Sequence, residues 1–311
     1  MESRVHKELL ETFKKLTPMD LSEEKLPSIR TANKLLIQPY IDEAITQNEY
    51  FAKHDEGDIQ VRLKVYAPVN QVDTLPVVLF IHGGGYIFGS VESNDAKCAR
   101  YVKDVNCVVV SVDYRLAPEN PYPAAIEDCY LVLQWIAENK AQLNIDVDRL
   151  AVVGGSTGGG LTAAITLLAR DRKGPKIKFQ MPLFPMIDDS CTTYSSNEFN
   201  DKRVWSKELN QFAWSMYLKG VEGDIPKYAA PMRETDFSNL PPTYTTVGSL
   251  DPFRDETMNY VKALTEAGIP VEFHLYPGGY HEFEAMVPDS EISKRAVAES
   301  ITALRKGLMD L

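Results

Sequence analysis

Short apolar runs separated by amphipathic stretches organise most of the chain. The runs lie at 77–82, 107–113, 150–154, 179–184, 243–248 and 271–276. Most of them do not alternate apolar with polar residues, the mark of parallel strands covered on both faces. Between them the apolar spacing changes to that of a helix. In 123–139, Ile126, Tyr130, Leu133 and Ile136 form one stripe, and 158–171, 255–267 and 291–306 behave alike. Residues 44–53 and 59–66 read as two further strands joined by a turn at Asp55-Glu56-Gly57-Asp58. Strands alternating with helices predict an α/β fold: about eight strands, mostly parallel, led by an antiparallel hairpin and with helices on both faces.

Two segments depart from this alternation. The first 40 or so residues read as helical, with Val5, Leu9, Phe13 and Leu16 on one face and Pro18, Pro27 and Pro39 as punctuation. Residues 188–235 hold no convincing strand but carry Tyr194, Trp205, Phe212, Trp214 and Tyr217. An insert of that length in a compact α/β domain is usually functional. Together the two segments could form a lid or pocket wall. The expected division is therefore N-terminal cap helices at 1–43, a first core segment at 44–187, a cap insert at 188–235 and a second core segment at 236–311.

Composition narrows the function classes. The 311 residues carry a net charge of −11, with no run of Lys or Arg, which argues against binding nucleic acid or an anionic membrane. No segment approaches 18 uninterrupted apolar residues. The opening stretch MESRVHKELLETFKKL has charges throughout and does not read as a signal peptide. Cys98, Cys107, Cys129 and Cys191 lack CxxC spacing and read as reduced thiols, so a cytoplasmic location is expected. The Cys and His content shows no zinc-type ligand spacing, and no metal or cofactor is expected.

The candidate chemistry begins at Leu150-Ala-Val-Val-Gly154-Gly155-Ser156-Thr157-Gly158-Gly159-Gly160, a strand running into a glycine-rich turn and a helix. Gly154-x-Ser156-x-Gly158 suits a serine held on a sharp strand-to-helix turn, where only residues without side chains fit two positions either side. A phosphate loop would require a lysine that is absent, and a dinucleotide fingerprint would place its glycines inside the helix. After the strand at 77–81, His82-Gly83-Gly84-Gly85-Tyr86 exposes backbone N–H groups of the kind an oxyanion hole uses. His82 itself reads as a brace for that loop.

A serine nucleophile on such a turn needs an acid and then a base, in that chain order. Of the histidines, only His274 and His281 follow Ser156. His274 falls inside a strand, whereas His281 falls in the loop beyond the strand's carboxyl end, where sites of open α/β sheets lie. The acid is expected at the end of the preceding strand. Asp251 stands there, and the alternative, Asp255, reads as the first turn of the next helix.

Taken in order, His82-Gly83-Gly84-Gly85, Asp113-Tyr114-Arg115-Leu116-Ala117-Pro118-Glu119, the Gly154–Gly158 elbow, Asp251-Pro252-Phe253-Arg254-Asp255-Glu256 and His281-x-Phe283 resemble the hormone-sensitive-lipase family of α/β-hydrolase esterases. The resemblance implies an α/β-hydrolase fold of eight strands with a helical cap. It implies Ser156 as nucleophile, Asp251 as acid and His281 as base, with oxyanion donors on Gly83, Gly84 and Thr157. The 114–119 segment becomes structural support. Three positions depart from the family pattern: Gly155 and Gly160 stand where Asp and Asn are usual, and Glu282 where Gly is usual. The expected activity is that of a serine carboxylesterase acting on short-chain acyl esters, with a small-molecule ester as partner. Amide, formamide or lactone hydrolysis by the same triad, or a non-catalytic receptor on the same fold, are the alternatives. Tyr86, Phe88, Tyr194, Trp205, Phe212 and Trp214 are the candidate pocket walls, and a homodimer is the expected assembly.

Overall fold

Residues alternate sides along a strand, so a strand apolar at every position must be covered twice. In β3 (Leu75–Ile81), every residue is buried. Val77, Leu79 and Ile81 join one apolar cluster, and Val78 and Phe80 join a second on the opposite face. A computed structural model describes residues 1–54 and 59–309 and places β3 near the middle of an eight-stranded sheet. The other strands are β1 (Ile45–Lys53), β2 (Gln60–Pro68), β4 (Val108–Val112), β5 (Ile145–Gly155), β6 (Phe179–Leu183), β7 (Thr243–Gly248) and β8 (Val271–Tyr276). Their order is β1-β2-β4-β3-β5-β6-β7-β8. β1 pairs antiparallel with β2, and β2 with β4; every later pairing is parallel. The expected eight strands and leading hairpin are therefore present. The turn read at 55–58 lies outside the described residues.

The helices are α1 (Lys7–Lys15), α2 (Leu26–Leu36), α3 (Asp95–Tyr101), α4 (Ala124–Glu138), α5 (Lys140–Leu143), α6 (Thr157–Arg172), α7 (Tyr194–Glu198), α8 (Lys207–Tyr217), α9 (Arg254–Glu266), α10 (Phe283–Met286) and α11 (Glu291–Met309). α4 and α6 cover the face toward which Val77 and Leu79 point, while α3 and α11 cover the other. The helical reading of residues 1–40 needs correction: α1 ends before Pro18, and 37–44 is not helical. β8 also differs from the doubly covered strand expected, because it is the last in the sheet order and only Tyr276 along it is buried.

The first helices and the insert meet over the carboxyl ends of the strands. Val5, Leu9 and Phe13 pack with Phe199 and Val204 of the insert and with Tyr280 and Phe283. The Phe13 and Tyr280 rings are 5.3 Å apart, and the Arg203 guanidinium lies 4.2 Å over the Phe13 ring. Leu209, Ala213, Trp214 and Tyr217 of α8 join the main cluster together with Leu26. Among the described residues, no helix is long and apolar enough to cross a membrane. The four cysteines are buried and unpaired.

Candidate active site

The turn between β5 and α6 forces two backbones together. A Cβ on Gly158 would overlap the Ile81 carbonyl oxygen, and one on Gly154 would overlap the Gly158 carbonyl, so neither position can carry a side chain. Between them Ser156 adopts φ 56° and ψ −120°, a conformation a non-glycine residue holds only when its surroundings impose it. Those surroundings are visible. Ser156 N donates to Leu183 O at 3.0 Å, and Ser156 O accepts from Gly160 N at 2.9 Å and Met186 N at 3.0 Å. A Cβ on Gly155 would stand 3.0 Å from the Phe184 ring, which fills the space an aspartate would need.

Ser156 Oγ lies 3.0 Å from His281 Nε2, and His281 Nδ1 lies 2.8 Å from Asp251 Oδ2. All three residues are buried. The other Asp251 oxygen accepts from Phe253 N at 2.9 Å. Rings enclose the imidazole: Phe253 and Phe184 meet it edge-on at 5.1 and 5.3 Å, and Trp205 lies at 6.1 Å, tilted by 35°. Burial disfavours the imidazolium, but the Asp251 carboxylate and its hydrogen bond, with Glu282 and Glu284 behind, outweigh it and hold the His281 pKa above its ordinary value.

The remaining candidates for acid and base lie elsewhere. Asp255 accepts from Ser195 N at 2.7 Å and pairs with Arg254, so it anchors α7 of the insert. His274 sits between Glu299 and Glu272, 3.0 Å from each. His82 stacks on Tyr114 at 4.1 Å, its Nδ1 is 2.8 Å from Gly83 O, and Tyr114 Oη donates to its carbonyl at 3.0 Å. The 114–119 segment continues this support. Ala117 N donates to Tyr86 O at 3.0 Å, and Arg115 makes a forked contact with the buried Asp128.

Gly84 has φ +124°, and a Cβ there would overlap the Phe88 carbonyl. Its own carbonyl accepts from Ile87 N at 3.1 Å and Phe88 N at 2.8 Å. Among the described residues, the N–H groups of Gly83 and Gly84 have no backbone or side-chain acceptor. Gly85 N differs, because it donates to Thr157 Oγ1 at 2.5 Å.

The pocket-wall candidates separate. Trp205 lies against both Gly85 and His281. Tyr86 is buried and stacks on Tyr217 at 3.6 Å, with Trp214 at 5.7 Å, and Phe212 packs on the same cluster half-buried. Phe88 faces a groove shared with Leu36 and Ile37 at the end of α2. Tyr194 joins none of these. It is 71% exposed, with Arg254 over its ring. The rings of Phe184 and Phe253 and the Thr157 hydroxyl carried no signal in the sequence. Nor did Glu256, which is buried, accepts from Ile187 N at 2.8 Å and has its pKa pushed well above the usual carboxyl range by burial.

Comparison with known proteins bears on the fold and the family. A family model described as alpha/beta hydrolase fold matches residues 78–285. Carboxylesterase NlhH of Mycobacterium tuberculosis is 33% identical over 306 residues, covering 96% of this chain and 92% of its own. Esterase LipI of the same species is 38% identical over 240 residues, 74% of this chain and 72% of its own. A solved bacterial heroin esterase superposes with a TM-score of 0.94 at 36% identity, covering 98% of both chains.

Proposed function

Because the chain belongs to the α/β-hydrolase-fold family, with esterases among its relatives, we propose that it is a serine carboxylesterase that cleaves short-chain acyl esters. The observation that carries the reading is the continuous line from Asp251 through His281 to Ser156, with contacts of 2.8 and 3.0 Å. Ser156 Oγ attacks the ester carbonyl as His281 Nε2 takes its proton. Asp251 fixes the Nδ1–H tautomer and stabilises the imidazolium. The carbonyl oxygen, now negative, receives hydrogen bonds from the N–H groups of Gly83, Gly84 and Thr157. Collapse expels the alcohol, which leaves with the proton from His281. Water, deprotonated by the same imidazole, then releases the acid from the acyl-enzyme.

Crowding supports the preference for short acyl chains. Trp205 lies above the oxyanion loop and beside His281, so the space over Ser156 has a rigid wall. The test of the whole reading is Ser156→Ala, for which loss of turnover on the order of 10⁶ in kcat is expected. A fluorophosphonate probe should label Ser156, and labelling of a different serine in the intact protein would overturn the assignment.

A further inference from the structure

We infer that the side-chain hydroxyl of Thr157 is a positioning group for the oxyanion loop, so that one residue serves both halves of the hole. The inference rests on the reading of Ser156 as nucleophile. The proposed donors come from two separate segments. Gly83 and Gly84 lie on the loop after β3, and the Thr157 N–H opens α6. The β3–β5 ladder registers the two segments only as far as Ile81 opposite Gly154. Beyond that point the loop closes on itself through the Gly84 carbonyl, and it leans outward on Tyr114 and Ala117. The elbow packs on the start of the loop, with Gly158 against the His82 carbonyl and Gly155 O beside Gly83, but neither set of hydrogen bonds runs to the elbow.

The bond from Gly85 N to Thr157 Oγ1 does. At 2.5 Å it is short, and Thr157 is fully buried, so water does not compete for either group. The acceptor is locked as well, because Thr157 belongs to the first turn of α6 and its Cα is placed by the same elbow that places Ser156. Gly85, at φ +64°, follows Gly84 directly. Holding its nitrogen therefore sets the peptide plane that bears on Gly84. The bond also occupies the Gly85 N–H, while those of Gly83 and Gly84 have no acceptor among the described residues. An oxyanion hole works by having its donors aimed before charge develops, so a loop free to drift from the elbow would lose transition-state stabilisation while still admitting substrate.

Two variants separate the hydroxyl from the methyl group. Thr157→Val keeps the shape and removes the acceptor; Thr157→Ser keeps the acceptor and removes the methyl. With p-nitrophenyl acetate, Thr157→Val should lose about ten- to a hundredfold in kcat with KM within about twofold, and should lose affinity for butylboronic acid, which forms a tetrahedral adduct, by a matching factor. Thr157→Ser should stay within about threefold of the parent on both measures. If Thr157→Val does not fold, Thr157→Ala carries the same expectation. An unchanged kcat in the variant lacking the hydroxyl, or an equal loss in Thr157→Ser, would overturn the inference. Fluorophosphonate labelling of the parent protein at Ser156 keeps the two readings apart. If it succeeds and the variants behave alike, only the positioning role falls; if it fails, the nucleophile assignment falls.

Discussion

The distal edge of the Trp205 ring, at Cη2, stands 2.5 Å from where a Cβ on Gly85 would be. A side chain of the insert thus rests on the backbone of the glycine loop, and the absence of a Cβ there is what lets it. The same ring reaches the imidazole of His281. On the proposed reading, the insert therefore supplies a wall of the site.

Acyl length should respond to that wall. Each fitted methylene adds about 0.8 kcal/mol of binding, and overpacking costs about 1–3 kcal/mol once the chain meets a ring. For p-nitrophenyl esters, kcat/KM should rise from acetate over a few carbons, remain good to hexanoate and fall by decanoate. Trp205→Ala should move the optimum to longer chains. A series still climbing at twelve carbons in the parent protein would contradict the wall.

The two aspartates after β7 should differ sharply. Asp251→Asn should lower kcat on the order of 10⁴ by favouring the wrong imidazole tautomer. Asp255→Asn should leave kcat nearly unchanged and lower the melting temperature slightly, because its carboxylate holds Ser195 N at the start of α7 and pairs with Arg254 at the start of α9. Steady-state kinetics of the pair decide the matter, and a reversed ranking would assign the acid to Asp255.

pH dependence follows from the direction of the His281 shift. Burial alone would lower its pKa, but Asp251, Glu282 and Glu284 together raise it above 6.5. The base must be neutral to accept the serine proton, so kcat/KM should fall as pH drops through a value somewhat above 6.5. Glu282→Gln removes one of the charges that raise the imidazole pKa and should move that limb toward lower pH. A profile flat from pH 8 to 5 would exclude a histidine base.

Backbone crowding gives a stability prediction. A Cβ on Gly160 would overlap the Met186 carbonyl, and on Gly158 the Ile81 carbonyl. In each case the obstacle is backbone and cannot swing aside. Gly158→Ala and Gly160→Ala should each cost about 3 kcal/mol or more, measured by chemical denaturation. Gly220→Ala, at an open turn with φ +85° and nothing nearby, should cost less, from backbone strain alone.

The sheet was legible because its central strands are apolar at consecutive positions. β3 and β4 are buried throughout, and no helix periodicity competes with that pattern. β8 was legible as a strand but not as an edge, since strand order depends on partners far along the chain. The α3 segment escaped notice because it is short and charged, and because Asp95 stands on its buried face, where it pairs with Lys64 and Tyr66 on a distant strand. Ser156, His281 and Asp251 stood out by order and by position at strand ends. Tyr194 was chosen for its ring and its place in the insert, and neither property says which way it faces. Thr157 was singled out for its N–H, while its hydroxyl gains a partner only when a loop more than 70 residues earlier in the chain folds against it.

The docking of α1 ties together two segments far apart along the chain. His6 N donates to Gly278 O at 3.0 Å, and Phe13 packs on Tyr280, one residue before His281. During synthesis α1 therefore waits for a segment far along the chain before its docking surface, to which Phe199 and Val204 also contribute, is complete. Until 276–296 has emerged, the apolar face of Leu9 and Phe13 lacks much of its cover and His281 does not yet exist. Full docking of α1 and completion of the proposed triad are thus one late event in synthesis, and a nascent chain stalled before residue 276 leaves part of the apolar face of α1 uncovered and lacks His281.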